Sequence, residues 1–157
     1  MYASDTNGLH NKKVLEVYTG SGFDSSIGSG TTLFNEDSHE LNAIAPADLV
    51  GLDYIAITVN TTCIYGEYGD HTFWSSLKIQ NQEVGGSYAD DMGYIVIFYG
   101  GGDASGKTGT CIRWVHTLTA GEKTNGVQFK IFSKSEKDST SNTGIALSNV
   151  QTIVEGV

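Results

Sequence analysis

Apolar and polar positions alternate with a period near two in several short runs, the pattern of strands with one buried face. Residues 54–62 put Ile55, Ile57 and Val59 on one side and Ala56, Thr58 and Asn60 on the other. Residues 72–80 place Phe73, Leu77 and Ile79 on one face. Residues 126–134 turn Val127, Phe129 and Ile131 inward and Gln128 and Lys130 outward. Residues 13–19 and 150–157 predict the first and last strands, and 31–35 a weaker second one. Two runs break the alternation. Residues 93–99 read Gly-Tyr-Ile-Val-Ile-Phe-Tyr, apolar on both faces. Residues 111–119 set Ile112, Trp114 and Leu118 against Cys111 and Val115. A strand apolar on both sides must be covered on both. In a two-sheet sandwich one side is core, and the other needs a neighbouring subunit or a long loop. We adopt the subunit, which assigns Tyr94, Val96, Phe98, Tyr99 and Trp114 to a subunit interface.

Clusters of Gly, Ser, Asn and Asp at 20–30, 66–70, 85–91, 100–109 and 133–144 read as turns and surface loops. The one helical signal is Ala45-Pro46-Ala47-Asp48-Leu49, with proline suited to a first helical position. The prediction is therefore an all-β fold. A single antiparallel β-sandwich or jelly roll of about eight strands occupies 13–157, after a polar N-terminal arm at 1–12.

Composition agrees and removes some partners. The 157 residues include 20 Gly and one Pro, with 39% hydrophobic and 17% charged residues. Nine basic against 18 acidic residues give a net charge of −9. Such a surface repels phosphate backbones and anionic lipid, so no nucleic acid and no membrane is expected as a partner. No apolar run reaches the roughly 18–20 residues that span a bilayer, and the polar start lacks a secretory signal's hydrophobic core.

The sharpest chemical motif is Gly101-Gly102-Asp103-Ala104-Ser105-Gly106-Lys107-Thr108, a formal match to the phosphate-binding P-loop. A P-loop must feed a helix whose N-terminus faces the anion. Here Gly109-Thr110-Cys111-Ile112-Arg113-Trp114-Val115 follows, which is strand chemistry, so the segment reads as a hairpin loop. A nucleotide-dependent enzyme using Lys107 stays as a remote alternative. His10, His39, His71 and His116 show no metal spacing, and Cys63 and Cys111 read as buried, reduced thiols. Acidic residues at Glu36-Asp37, Asp70, Asp90-Asp91 and Asp103 lack calcium-loop spacing, and Asn60-Thr61-Thr62 reads as a chance sequon. No catalytic residue, cofactor or metal is expected. Tyr65, Tyr68 and Trp74 beside a Gly-rich loop are candidate sugar-facing aromatics.

The last third reads Val115-His116-Thr117-Leu118-Thr119-Ala120-Gly121-Glu122-Lys123-Thr124, then Gly126-Val127-Gln128-Phe129-Lys130-Ile131-Phe132. After a polar loop it ends Ile145-Ala146-Leu147-Ser148-Asn149-Val150-Gln151-Thr152-Ile153-Val154-Glu155. This strand, Thr-Ala-Gly turn, strand, loop and closing strand resembles the C1q/TNF-like jelly rolls of phage virions, those of capsid decoration, head-fibre and tail-fibre proteins. Residues 47–59 resemble their early core strand. The likeness covers about half the chain. It implies a non-enzymatic homotrimer on the capsid surface, with the major capsid protein or another virion protein as partner. The short polar start departs from a fibre's long shaft and favours a cement protein or short head fibre. A receptor- or carbohydrate-binding module, with a host surface glycan as ligand, is the alternative.

Overall fold

The computed structural model describes residues 13–23, 34–66, 72–101, 106–138 and 144–157. The predicted arm at 1–12 lies outside them. Eight strands and two short helices follow in the order β1 (Lys13–Gly22), β2 (Phe34–Glu40), α1 (Pro46–Leu49), β3 (Tyr54–Gly66), β4 (Thr72–Glu83), β5 (Ala89–Gly101), β6 (Gly106–Thr117), α2 (Ala120–Asn125), β7 (Val127–Lys137) and β8 (Gly144–Gly156).

All pairings are antiparallel. One sheet, here sheet A, has the order β1-β8-β3-β6, and sheet B has β2-β7-β4-β5. Consecutive strands alternate between the sheets from β1 to β4 and again from β5 to β8, the double Greek key of a jelly roll. The predicted all-β sandwich of eight strands is what forms. The core between the sheets is built by inward parity. Ile55, Ile57, Val59, Leu147 and Val154 of sheet A meet Phe73, Leu77, Ile79, Phe129 and Ile131 of sheet B, all buried.

Both helices sit at one pole, where β2 leads to β3 and β6 to β7, and they touch each other. Helix α1 begins at Pro46, as its proline predicts. Helix α2 is held by a capping box. The Glu122 amide donates to Thr119 Oγ1 at 3.2 Å, and the Thr119 amide donates to Glu122 Oε2 at 2.8 Å. Gly126 ends the helix at φ 93°, and a side chain there would meet the Ile44 carbonyl oxygen at 2.7 Å.

Most strands run past their predicted bounds: β1 to Gly22, β3 to Gly66 and β4 to Glu83, with β6 starting at Gly106 and β8 at Gly144. Strand β2 runs to Glu40, past the predicted 31–35, and residues 31–33 lie outside the described set. Strand β5 starts at Ala89, inside a predicted loop. Strand β7 continues to Lys137, and its inward positions there are Ser133 and Ser135, both fully buried. The Ser135 hydroxyl lies 3.2 Å from that of Ser75 in β4. On neighbouring strands of sheet B, each of these two buried hydroxyls gives the other a hydrogen-bond partner.

Candidate functional site

The outer face of sheet B is assembled by register. Phe34 lies opposite Glu136, Glu136 opposite Trp74, and Trp74 opposite Tyr99. The Trp74 and Tyr99 rings stack at 6.5 Å between centres. Trp74 Nε1 donates to Glu136 Oε2 at 2.8 Å, and Lys134 Nζ lies 2.9 Å from Glu136 Oε1. In the next rows Lys78 Nζ sits 4.2 Å from the Phe132 ring centre and 5.0 Å from that of Tyr94. Lys130 Nζ sits 5.3 Å from the Phe132 ring centre. Ammonium groups over π faces, with aliphatic stems lying on the sheet, cover apolar surface without losing charge hydration. The Tyr94 hydroxyl reaches across β4 and β7 to donate to Glu36 on β2. Burial, and then that contact, push its phenol well above the ordinary value. The broad face is thus closed by its own side chains.

The rim is not closed. Strand β5 is the free edge of sheet B, and its register with β4 shifts three times, at Ser75/Ser76, Leu77/Ile79 and Ile79/Gln80. Tyr94, Ile95 and Val96 are 39%, 42% and 56% exposed, and Tyr99 is 67% exposed. Consecutive residues of a strand point to opposite faces. Both faces of β5 are therefore apolar and open. Of the five predicted interface residues, Tyr94, Val96 and Tyr99 lie here. The other two are turned inward. Phe98 lies opposite Ser75 and stacks on Phe73 at 5.8 Å. Trp114 packs against the core and donates from Nε1 to Asp91 Oδ2 at 2.6 Å. Of the predicted sugar-facing aromatics, Trp74 is on the outer face of sheet B, beside Tyr99. Tyr68 and the Tyr65 side chain lie outside the described residues, though the Tyr65 backbone pairs with Gly106 at the end of β3.

The helix-bearing pole holds a buried charge cluster that sequence spacing does not reveal. His116 of β6 lies between two carboxylates. Nε2 is 3.0 Å from Glu122 Oε2 of α2, and Nδ1 is 3.0 Å from Asp91 Oδ1 of β5. The Asp91 oxygen is off the Nδ1–H axis, so it acts as a charge partner more than as an aligned acceptor. Asn81 Nδ2 of β4 donates to Glu122 Oε1 at 2.7 Å. Burial pushes His116 down, but Asp91 and Glu122 together outweigh it and hold the imidazole above its ordinary value. Burial pushes Glu122 up, and the Thr119 amide and His116 outweigh that, holding its carboxyl below the usual range. The cluster ties β4, β5, β6 and α2 together, and every polar atom of Glu122 is engaged.

His39 is different. It is sandwiched between Tyr18, stacked at 4.2 Å, and Phe23 at 5.0 Å. Burial lowers its pKa to about 4 against the opposing pull of Asp37. In the unfolded chain the ordinary value is 6.5. Stability should therefore fall as pH drops from 6.5 through 4, by about 2 kcal/mol after allowing for partial exposure. His39→Phe keeps the ring stack and removes the proton. Its urea midpoint should change less than that of the wild type between those pH values. An unchanged acid slope would mean that another group carries it.

Neither cysteine is bonded. Cys63 faces the core, where burial pushes its thiol up to about 12. Cys111 is exposed on the outer side of β6, a correction to the expectation that both are buried. The formal P-loop does not feed a helix. Lys107 and Thr108 already belong to β6, opposite Ile64 and Cys63. Residues 102–105, with Asp103, lie outside the described set, as do His10, Asp70 and His71. Among the described residues no group of three His, Cys, Asp or Glu side chains is placed to hold a metal ion.

No family model and no curated protein matches the chain. Solved structures do. The structure of infectious bursal disease virus Gt strain aligns over 99% of this chain at TM-score 0.54 and 10% identity. The D431N mutant VP2 protein of infectious bursal disease virus, from derived T=1 particles, aligns over 98% at TM-score 0.52 and 9% identity. The chain spans only 37% and 35% of the length of those two proteins. At such identities the likeness is one of fold alone, a jelly-roll-like β domain.

Proposed function

We propose that this chain is a virion structural protein, a capsid decoration (cement) or short head-fibre subunit that forms homotrimers on the capsid surface. The observation that carries the reading is β5. A sandwich whose broad faces are closed by its own side chains leaves one edge strand apolar on both sides, which suits a subunit completed by a neighbour. The fold shared with infectious bursal disease virus proteins supports the viral setting. In this reading the chain has no catalytic role and no cofactor, and the buried charges are structural. Its partners are further copies of itself and the major capsid protein, and its acidic surface turns away nucleic acid.

Light scattering on the purified protein tests the first half. The expected mass is three times 16.8 kDa and independent of concentration. A single-chain mass up to near-millimolar protein would overturn the trimer. Co-sedimentation with capsids stripped of minor proteins tests the second half. Saturable binding is expected, and none would overturn the decoration role.

One observation favours a second reading, glycan binding. Trp74 and Tyr99 offer a stacked apolar surface beside the Glu136 carboxylate and the Lys134 ammonium. Binding on a glycan array that is lost in Trp74→Ala would establish it.

A further inference from the structure

The apolar side chains left exposed sort by strand position. Val50, Tyr54 and Val84 lie at the helix-bearing pole. Every other exposed large hydrophobic side chain among the described residues lies on an edge strand. Val14, Val17 and Phe34 are 58%, 55% and 61% exposed on β1 and β2, which form one edge of the sandwich. Tyr94, Ile95, Val96, Tyr99 and Val115 are on β5 and β6, the opposite edge. A register shift between Val14 and Glu16 brings both valines of β1 outward. Between the edges the broad faces are filled by paired polar groups. On sheet A, Arg113 reaches Glu155 at 2.9 Å and Thr58 at 3.1 Å, and Asn60 bonds Gln151 at 3.3 Å.

The two edges also differ in charge. Strands β1 and β2 carry Lys13 against Glu16, Glu36, Asp37 and Glu40, an acidic edge, while on β5 and β6 Asp90 and Asp91 are balanced by Lys107 and Arg113. A two-fold contact sets a patch against itself. Through β1/β2 it would bring like charges together, and through either edge it would leave the other apolar edge in water. A head-to-tail contact sets unlike edges together, covers both, and keeps the acidic edge away from its own copy.

We infer that the β5/β6 edge of one copy docks on the β1/β2 edge of the next, head to tail, so that three such contacts close the ring. The inference rests on the trimer reading above and specifies its geometry. Each subunit then has one donor edge and one acceptor edge, and the assembly has no free edge left.

Two single variants and their mixture test it. Val96→Asp disables one edge and Val17→Asp the other. Both positions are more than half exposed, so circular dichroism and melting should match the wild type. Where either misfolds, Tyr99→Glu and Phe34→Glu replace them. The expected masses are one chain for each variant alone and two chains for their equimolar mixture, because each supplies the edge that the other has lost. A mixture that stays single-chain overturns the head-to-tail pairing. Assembly of Val17→Asp like the wild type also overturns it, and means that β1/β2 is covered by its own chain or left free. If the wild type itself is single-chain, the trimer reading falls. If the wild type assembles and Val17→Asp does too, only the edge assignment falls.

Discussion

Glu122→Leu should lower the stability of the protein by about 3–5 kcal/mol, the cost of removing one partner from a buried charge cluster. Leucine has the volume to fill the space but none of the four contacts. His116 is left as an imidazole facing Asp91 alone, and Asn81 and the Thr119 amide lose their acceptors. The capping box of α2 goes with it. The loss is read as a fall in urea midpoint with an unchanged slope. It should depend on pH in a defined way. His116 is raised, so its stabilisation is fully present below its ordinary 6.5 and fades as pH rises through the higher folded value. Glu122 is lowered, so its stabilisation is present above its ordinary 4.5 and fades as pH falls through the lower folded value. The gap between wild type and Glu122→Leu should be widest between pH 4.5 and 6.5 and narrow on both sides. A flat gap would mean that packing, not charge, is what the substitution removes.

Phe129→Ala should cost a similar amount, about 3–5 kcal/mol, by a different route. The ring is fully buried, faces across the sandwich from β7, and meets the His116 ring edge-on at 5.3 Å. Its neighbours come from both sheets and from the charge cluster, so they cannot collapse into the space. Tyr99→Ala, on the outer rim, should change the stability of the isolated subunit by less than about 1 kcal/mol. Chemical unfolding of the two variants side by side checks the contrast. A small loss for Phe129→Ala would show that this part of the core relaxes.

The strand pattern was readable where one face is apolar and the other polar, as in residues 54–62 and 126–134. It failed where that contrast vanishes. Ser133 and Ser135 are inward but polar, so β7 looked finished too early. Residues 93–99 are apolar throughout, so nothing in them says that Phe98 turns to the core while Val96 turns to water. Three register shifts then set which residues face out. Helix α2 is too short to show a period, yet Thr119-Ala120-Gly121-Glu122 is a capping-box signature that marks its start. The cluster of Asp91, His116 and Glu122 had no local signal at all. His116 and Glu122 are six residues apart on β6 and α2, and the crossing from β5 in one sheet to β6 in the other brings Asp91 to them. The same holds for the two apolar edges, because which strands are edges is a property of topology.

That topology bears on how the subunit is made. Among the described residues, strand β1 pairs only with β8, and β2 only with β7. On a ribosome β1 emerges well before its partner β8, a delay on the order of ten seconds at about 5–20 residues per second. During that time Val14, Leu15 and Val17 have no sheet to join, which makes them a natural hold for a chaperone. A chain cut short before β8 leaves β1 without a partner strand, so its β1/β2 edge stays incomplete. If that edge is the one a neighbour reads, translation errors that truncate the protein are rejected at assembly without any separate proofreading step.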